Sequence, residues 1–157
     1  MVRTSQRAIP IVLFVIAAVL LGARIVHSLA KRDPAKNGDL VRWVTPQEGV
    51  RLAGTSGKPL LLDFTADWCA PCHLLDAQVF RNPAIAREIN DRFIPIRVVD
   101  RQQEEGSNSP EVASLQQRFG VRGFPTVVFT DASGAERGRM EGFRGRDEFE
   151  RVMESVR

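Results

Sequence analysis

Cys69 and Cys72 are the only cysteines of the chain, and two residues separate them. They closely follow an apolar run, residues 59–64, that is typical of a buried strand, and the pattern after them predicts a helix. The N-terminus of a helix carries partial positive charge and free N–H groups, which stabilise a thiolate. A second thiol two residues further on can resolve a mixed disulfide. The spacing therefore predicts thiol–disulfide exchange.

Two other uses of a cysteine pair are weaker. A structural disulfide across a two-residue gap closes a loop that is too small to stabilise a fold much through chain entropy. A metal site could draw on Cys69, Cys72 and the adjacent His73, whereas structural zinc takes four ligands. The other histidine, His27, lies in an N-terminal apolar segment. We therefore expect neither a metal nor a cofactor.

The charge balance argues against nucleic acid as a partner. The chain has 157 residues and a formal net charge of +3. Arg3, Arg7 and Arg24 supply that excess, because residues 1–30 contain no acidic residue. Residues 31–157 are thus formally neutral, and no basic patch interleaved with aromatic residues is found there.

The N-terminal segment predicts a membrane helix. Residues 8–23 are an unbroken apolar stretch, and with residues 24–29 the segment reaches about 22 residues, enough for a tilted span. We predict residues 1–30 to be an uncleaved signal anchor. The alternative is a cleaved signal peptide, but Arg24 and His27 stand where a cleavage region is usually uncharged. Basic residues flank the segment on both sides, so the positive-inside rule does not assign its orientation.

The remaining chain predicts a polar linker over residues 31–40 and one α/β domain over residues 41–157. A capping box from Thr45 to Glu48 starts a short helix that runs to about Ala53. We predict strands at 60–65, 93–99, 126–130 and 136–142, helices at 69–80, 83–90, 110–120 and about 149–156, a turn at 54–58 and a polar loop at 101–109. Strand–helix–strand followed by a hairpin and a helix indicates a mixed sheet flanked by helices.

At the level of motifs, the chain resembles the thioredoxin-like family. The resemblance rests on residues 61–72, which end in Asp-Trp-Cys-Ala-Pro-Cys, and on residues 120–126, Gly-Val-Arg-Gly-Phe-Pro-Thr, and it covers residues 41–157. The Ala-Asp-Trp-Cys run and Val79-Phe80 before Asn-Pro look most like the periplasmic C-terminal domain of DsbD-type thiol reductases. The Ala-Pro dipeptide departs from that domain, which has non-proline pairs, and from thioredoxin, which usually has Gly-Pro.

The resemblance implies roles for the cysteines and one carboxylate. Cys69 matches the attacking nucleophile and is expected to be the more exposed sulfur, with Cys72 as the buried resolving thiol; in the oxidised form the two make the redox disulfide. Asp63 matches the proton relay to the second cysteine, a role that suits a carboxyl whose pKa is raised by burial. The alternative for Asp63 is an edge-strand carboxylate that faces solvent.

The resemblance also implies a supporting and substrate-binding surface. Pro125 matches the cis-proline beside the cysteine pair that presents backbone to a substrate, and Phe124 would shape the same surface. Trp68 would pack beside the cysteines and Pro71 would stiffen the loop. Plain packing in the core is the alternative for Trp68 and Phe124.

These expectations combine into a thiol–disulfide oxidoreductase that reduces protein disulfides on the extracytoplasmic (periplasmic) side of the cytoplasmic membrane. Its partners would be protein disulfide substrates and an upstream dithiol donor, such as a membrane reductant transporter, with the N-terminal helix as a single-pass anchor. The alternatives are a disulfide-forming oxidase or isomerase, and a non-enzymatic metal or folding chaperone on the same scaffold.

Overall fold

The computed structural model describes residues 39–156. The predicted membrane helix, residues 1–30, and most of the predicted linker lie outside the described residues. Among the residues described, no helix is long and apolar enough to cross a bilayer.

Six helices or helical turns, one π-helical segment and four strands make up this part of the chain. In chain order they are α1 (Pro46–Ser56), β1 (Leu60–Ala66), α2 (Ala70–Leu75), the π segment (Asp76–Phe80), α3 (Pro83–Arg92), β2 (Ile94–Asp100), α4 (Gln102–Glu105), α5 (Pro110–Arg118), β3 (Thr126–Thr130), β4 (Glu136–Glu141) and α6 (Arg146–Ser155).

Three of the helices begin with the same local device. Thr45, Asn82 and Ser109 each stand before a proline in the first turn, and each side-chain oxygen accepts a hydrogen bond from a backbone N–H of that turn. The proline lacks only an N–H that has no partner inside the helix, and its fixed φ suits the first turn. The predicted starts of α1, α3 and α5 are confirmed for this reason.

The sheet has the strand order β2-β1-β3-β4. β1 pairs in parallel with β2 and antiparallel with β3, and β3 and β4 form an antiparallel hairpin. Val44 adds an isolated parallel bridge to Ile96 on the outer side of β2. The predicted mixed sheet is therefore confirmed, with β1 in its interior.

Two hydrophobic cores cover the two faces of the sheet. Alternation along β1 sends Leu62 and Phe64 to the core that contains β2 residues and Phe119, and sends Leu61 to the core beneath the π segment, α3 and α6. The side chain of Asp63 points to the same side of β1 as that of Leu61. Asp63 therefore lies on the face of the sheet that α2 and the π segment cover.

Apart from small shifts at the ends of other elements, three segments differ from the sequence prediction. α1 runs through Ser56 instead of ending near Ala53, because Gly57, with φ of 67°, is the left-handed residue that stops it. The loop predicted at 101–109 contains the short helix α4, which ends at Gly106, also left-handed. The helix predicted over 69–80 changes to π geometry after Leu75.

A close approach between α1 and β2 gives a test of this packing. A Cβ at Gly49 would lie 2.3 Å from Cδ1 of Ile96, whereas a Cβ at Gly54 in the same helix would meet nothing within 4 Å. We expect Gly49→Ala to lower the free energy of unfolding by about 1–3 kcal/mol through overpacking. The matched control Gly54→Ala should raise it by about 0.5–1 kcal/mol, because alanine favours helix.

Chemical denaturation of the oxidised protein measures both values. Ile96→Val removes the methyl group nearest to the new Cβ, so it should recover part of the loss in the Gly49→Ala background. Equal effects of the two glycine substitutions would contradict the proposed contact.

Candidate active site

The cysteine pair lies where β1 gives way to α2. Cys69 is the N-cap of α2, and its Sγ accepts a hydrogen bond from the backbone N–H of Cys72 at 3.2 Å. The backbone N–H of Cys69 donates to the carbonyl of Ala66 at 3.1 Å, which fixes the turn out of the strand. The sulfur thus takes the place of the capping oxygen that Ser or Asp supplies in other helices. The predicted placement at a helix N-terminus is confirmed.

The two sulfurs are joined in a disulfide, and both residues are buried. Cys69 is 2% exposed and Cys72 is 5% exposed. The expectation that Cys69 is the more exposed of the two is therefore wrong for the oxidised protein. Packing explains the burial, because Phe124 lies against the cluster that the two cysteines form with Ala66.

Asp63 is buried in the middle of β1 and only 2% exposed. Its Oδ2 accepts a hydrogen bond from Nε of Arg97 at 3.1 Å, and its Oδ1 has no hydrogen-bond partner among the described residues. Burial raises the pKa of Asp63 from 3.8 to about 6, and the positive charge of Arg97 limits that rise. The alternative of a solvent-facing carboxylate on an edge strand is excluded, because β1 lies between β2 and β3.

Arg97 and Asp76 belong to the same charged cluster as Asp63, and neither was predicted from the sequence as a site residue. Arg97 stands directly opposite Asp63 in the parallel pairing of β1 and β2. Its Nη2 donates to Oδ1 of Asp76 at 2.8 Å, and Asp76 also pairs with Arg81 at 3.0 Å. One signal was present in the sequence: Arg97 interrupts an otherwise apolar strand, as Asp63 does in β1. Asp76 gave no comparable signal, because a π turn shifts the helix register at that residue.

An aromatic surface borders the disulfide. The Trp68 ring is 49% exposed and meets the Phe124 ring edge-on at a centroid distance of 5.9 Å. Pro71 lies exposed in the first turn of α2. The core alternative for Trp68 is thus excluded by its exposure. Phe124 is half-buried, with one side toward the cysteines and the other toward Trp68.

Pro125 follows Phe124 through a cis peptide bond, in agreement with the resemblance. It is buried at the start of β3, and its carbonyl accepts a hydrogen bond from the N–H of Gly142 at 2.8 Å. Thr126 continues into the pairing with Phe64 of β1. The loop that carries Phe124 is thereby anchored to β1, the strand that precedes the cysteines.

The turn between β1 and α2 is held from two more sides. Nε2 of His73 lies 2.9 Å from the carbonyl oxygen of Asp67, so the ring nitrogen must carry the proton and donate. The Asp67 carboxylate accepts a hydrogen bond from Arg101, which follows β2. These contacts fix the backbone on the N-terminal side of Trp68 and Cys69.

The arrangement contains the groups that disulfide exchange requires. One sulfur caps a helix, a second lies one turn further on, and a carboxyl with a pKa near neutrality is buried beneath the same helix. An exposed apolar surface lies beside the sulfurs, and the loop that contributes Phe124 to it is anchored through the buried Pro125. Among residues 39–156, no group of three or more His, Cys, Asp or Glu side chains is placed to hold a metal ion.

Comparison with known proteins assigns the chain to a family. A family model described as a thioredoxin-like domain matches residues 46–157. The thiol:disulfide interchange protein DsbD of Yersinia enterocolitica is 29% identical over 152 residues, which are 92% of this chain and 25% of that protein. The chain therefore spans about a quarter of the length of the curated relatives it matches.

Two solved structures carry the same likeness. The oxidised C-terminal domain of Neisseria meningitidis DsbD superposes with a TM-score of 0.54 at 26% identity, over 73% of this chain and 99% of that one. A thioredoxin from Thermus thermophilus superposes with a TM-score of 0.62 at 30% identity, over 74% and 86%. Within this family the chain is similar to the C-terminal domain of DsbD. The chain belongs to the thioredoxin-like domain family.

Proposed function

We propose that the protein is a thiol–disulfide oxidoreductase that reduces disulfides in other proteins. The observation that carries the proposal is the hydrogen bond from the Cys72 N–H to Sγ of Cys69 at the N-terminus of α2. This bond and the helix dipole stabilise a thiolate on Cys69 in preference to Cys72. The likeness to proteins named thiol:disulfide interchange protein supports the same chemistry.

The first step is attack of the Cys69 thiolate on one sulfur of a substrate disulfide. A mixed disulfide forms, and the other substrate sulfur leaves as a thiolate that takes a proton from water. In the second step the Cys72 thiol loses its proton, and its sulfur attacks Sγ of Cys69. The substrate leaves with two thiols, and the pair is left as the Cys69–Cys72 disulfide, oxidised by two electrons.

Asp63 takes the proton of Cys72 in the second step. A carboxyl whose pKa is raised to about 6 by burial can accept a proton and return it near neutral pH, whereas an ordinary aspartate is a weaker base. Its place on the sheet face where Leu75 of the helix that carries Cys72 packs supports this role. A second dithiol protein must then reduce the pair again, since two electrons leave with each substrate.

The exposed apolar surface receives the substrate. Trp68, Phe124 and Pro71 surround the buried sulfurs, and the backbone next to Pro125 is the segment that a substrate strand would approach. The burial of Cys69 in the oxidised form means that a partner must reach the sulfur from this side. The likeness to DsbD supports a domain on the extracytoplasmic side and a membrane reductant transporter as its donor; residues 1–30 would serve as the anchor.

Single cysteine variants test the proposal. In an assay of insulin reduction driven by dithiothreitol, we expect Cys69→Ser and Cys72→Ser each to fall to the rate of dithiothreitol alone. Cys72→Ser should still form a stable mixed disulfide with insulin, because Cys69 attacks but nothing resolves the product. Non-reducing electrophoresis and mass spectrometry detect that adduct.

Cys69→Ser is the matched control for the trapping experiment, because its one remaining thiol, that of Cys72, is not the N-cap of α2. Equal trapping by both variants would contradict the assignment of Cys69 as nucleophile. A wild-type rate no higher than that of dithiothreitol alone would instead favour the non-enzymatic chaperone.

The raised pKa of Asp63 predicts how stability depends on pH. The folded protein holds this proton more tightly than the unfolded chain, whose ordinary value is 3.8, so stability is lost as the pH rises from about 4 to about 6. We expect the free energy of unfolding of the oxidised wild type, minus that of Asp63→Asn, to fall by about 2–3 kcal/mol between pH 4 and pH 7.

Urea titrations of the two proteins at both pH values measure this difference. All other titrating groups are common to the pair, so their contributions largely cancel. A difference that stays constant would show that burial does not raise the pKa of Asp63, and a difference that rises would show that Arg97 dominates.

A further inference from the structure

The buried pair of Asp63 and Arg97 reaches the surface at one side, along the outer edge of β2. The Asp63 carboxylate is almost completely buried, whereas the Arg97 side chain is 23% exposed. Water that approaches the carboxylate from this side must therefore pass the guanidinium. We call residues 39–44, which run along this edge, the covering segment.

The covering segment lies directly on Arg97. The Trp43 ring stacks on the guanidinium, with 4.2 Å between the ring centroid and Cζ of Arg97. The same ring meets Phe80 edge-on at 4.9 Å, and Phe80 itself lies 5.5 Å from Cζ. Asp39 adds a carboxylate oxygen 3.9 Å from Nη1 of Arg97. A guanidinium stacked on an aromatic face is held in one orientation, and the ring keeps water off that side of it.

The covering segment is itself fixed to the domain. The Asn90 side chain of α3 accepts a hydrogen bond from the Arg42 N–H at 2.8 Å and donates to the Leu40 carbonyl at 2.9 Å. Val41 is buried in the core between these two bonds, and the Val44 N–H donates to the carbonyl of Pro95 in β2. The indole N–H of Trp43 has no hydrogen-bond partner among the described residues, so stacking and packing hold the ring.

We propose that Trp43 is a positioning residue of the active site: it acts through Arg97, and it keeps water away from the buried proton acceptor Asp63. This inference rests on the proposed function, which gives Asp63 its part in the reaction. A tryptophan outside the cysteine motif, 26 positions before Cys69, thereby sets the pH range in which the second step proceeds.

The charges around Asp63 fix the direction of the expected effect. Arg97 faces it from β2, Asp76 faces it from the π segment, and Asp39 reaches the guanidinium from the covering segment. Burial is the largest cause of the raised pKa of Asp63. Admission of water at Trp43 weakens that cause, while Arg97 stays held by Asp76. The pKa of Asp63 must therefore fall.

The test is the pKa of Asp63, read from the side-chain carboxyl ¹³C resonance of the oxidised full-length chain, with Asp63→Asn to assign the signal. Trp43→Leu should lower the pKa from about 6 by roughly one unit, because the stacked face is lost and water enters. Trp43→Phe, the matched control, keeps an aromatic face over Arg97 and should leave the pKa at about 6. An unchanged or raised value in Trp43→Leu would overturn the proposal.

A second variant tests the proposal even if Trp43→Leu does not fold. Asn90→Ala removes the two hydrogen bonds that fix the covering segment without a change at Arg97 or Trp43, and it should lower the pKa of Asp63 in the same direction by a smaller amount. No shift in this folded variant would also count against the proposal. Leu40→Ala, an exposed change in the same segment, should leave the pKa unchanged.

The activity measured in parallel separates this inference from the proposed function. In the insulin assay the pH midpoint of turnover should move down with the pKa in Trp43→Leu. Wild-type turnover at every pH in Asp63→Asn would refute the role of Asp63, yet the resonance shift would still decide whether Trp43 excludes water.

Discussion

The hydrogen bond between the Cys72 N–H and Sγ of Cys69 is the interaction on which the rest of the site depends. It makes a cysteine the N-cap of α2, so the reactive sulfur lies at the positive end of a helix and the second sulfur lies one turn away. The bond can form because β1 ends at Ala66, whose carbonyl receives the Cys69 N–H. Strand, turn and helix are thus arranged around one sulfur.

In the charged cluster beneath α2, the requirements of stability and of function conflict. A carboxylate in the interior of a sheet lowers stability unless it is paired, and Asp63 is paired through only one oxygen with Arg97. A fully compensated ion pair would keep the pKa of Asp63 low and would make it unsuited to the role of base that we propose for it near neutral pH. Because the Arg97 guanidinium also binds Asp76, it compensates Asp63 only in part, and the pKa of Asp63 stays between that of an unpaired buried carboxyl and that of a fully paired one.

Local sequence signals predicted most of the fold and the cysteine site, and missed what depends on contacts between distant segments. The Pro-capped helices, the apolar strand β1 and the Cys-Ala-Pro-Cys motif follow from short-range physical rules, and the structure confirms them. Asp63 and Pro125 came from the resemblance. The burial of Cys69 was not foreseen, because it depends on how Phe124 packs from another loop. Arg97 and Trp43 became visible only through the register of β2 and the path of the covering segment.

The most direct test of the account is the reduction potential of the Cys69–Cys72 pair in the full-length chain, equilibrated against dithiothreitol and glutathione at pH 7. Pro71 brings no N–H to the sulfur, so the thiolate is stabilised moderately through the Cys72 N–H and the dipole of a short helix. We therefore predict a reduction potential in the thioredoxin range, about −270 mV, as expected for a reductase. A potential of about −120 mV would contradict it, because the reduced pair would then be stable enough to form disulfides in other proteins.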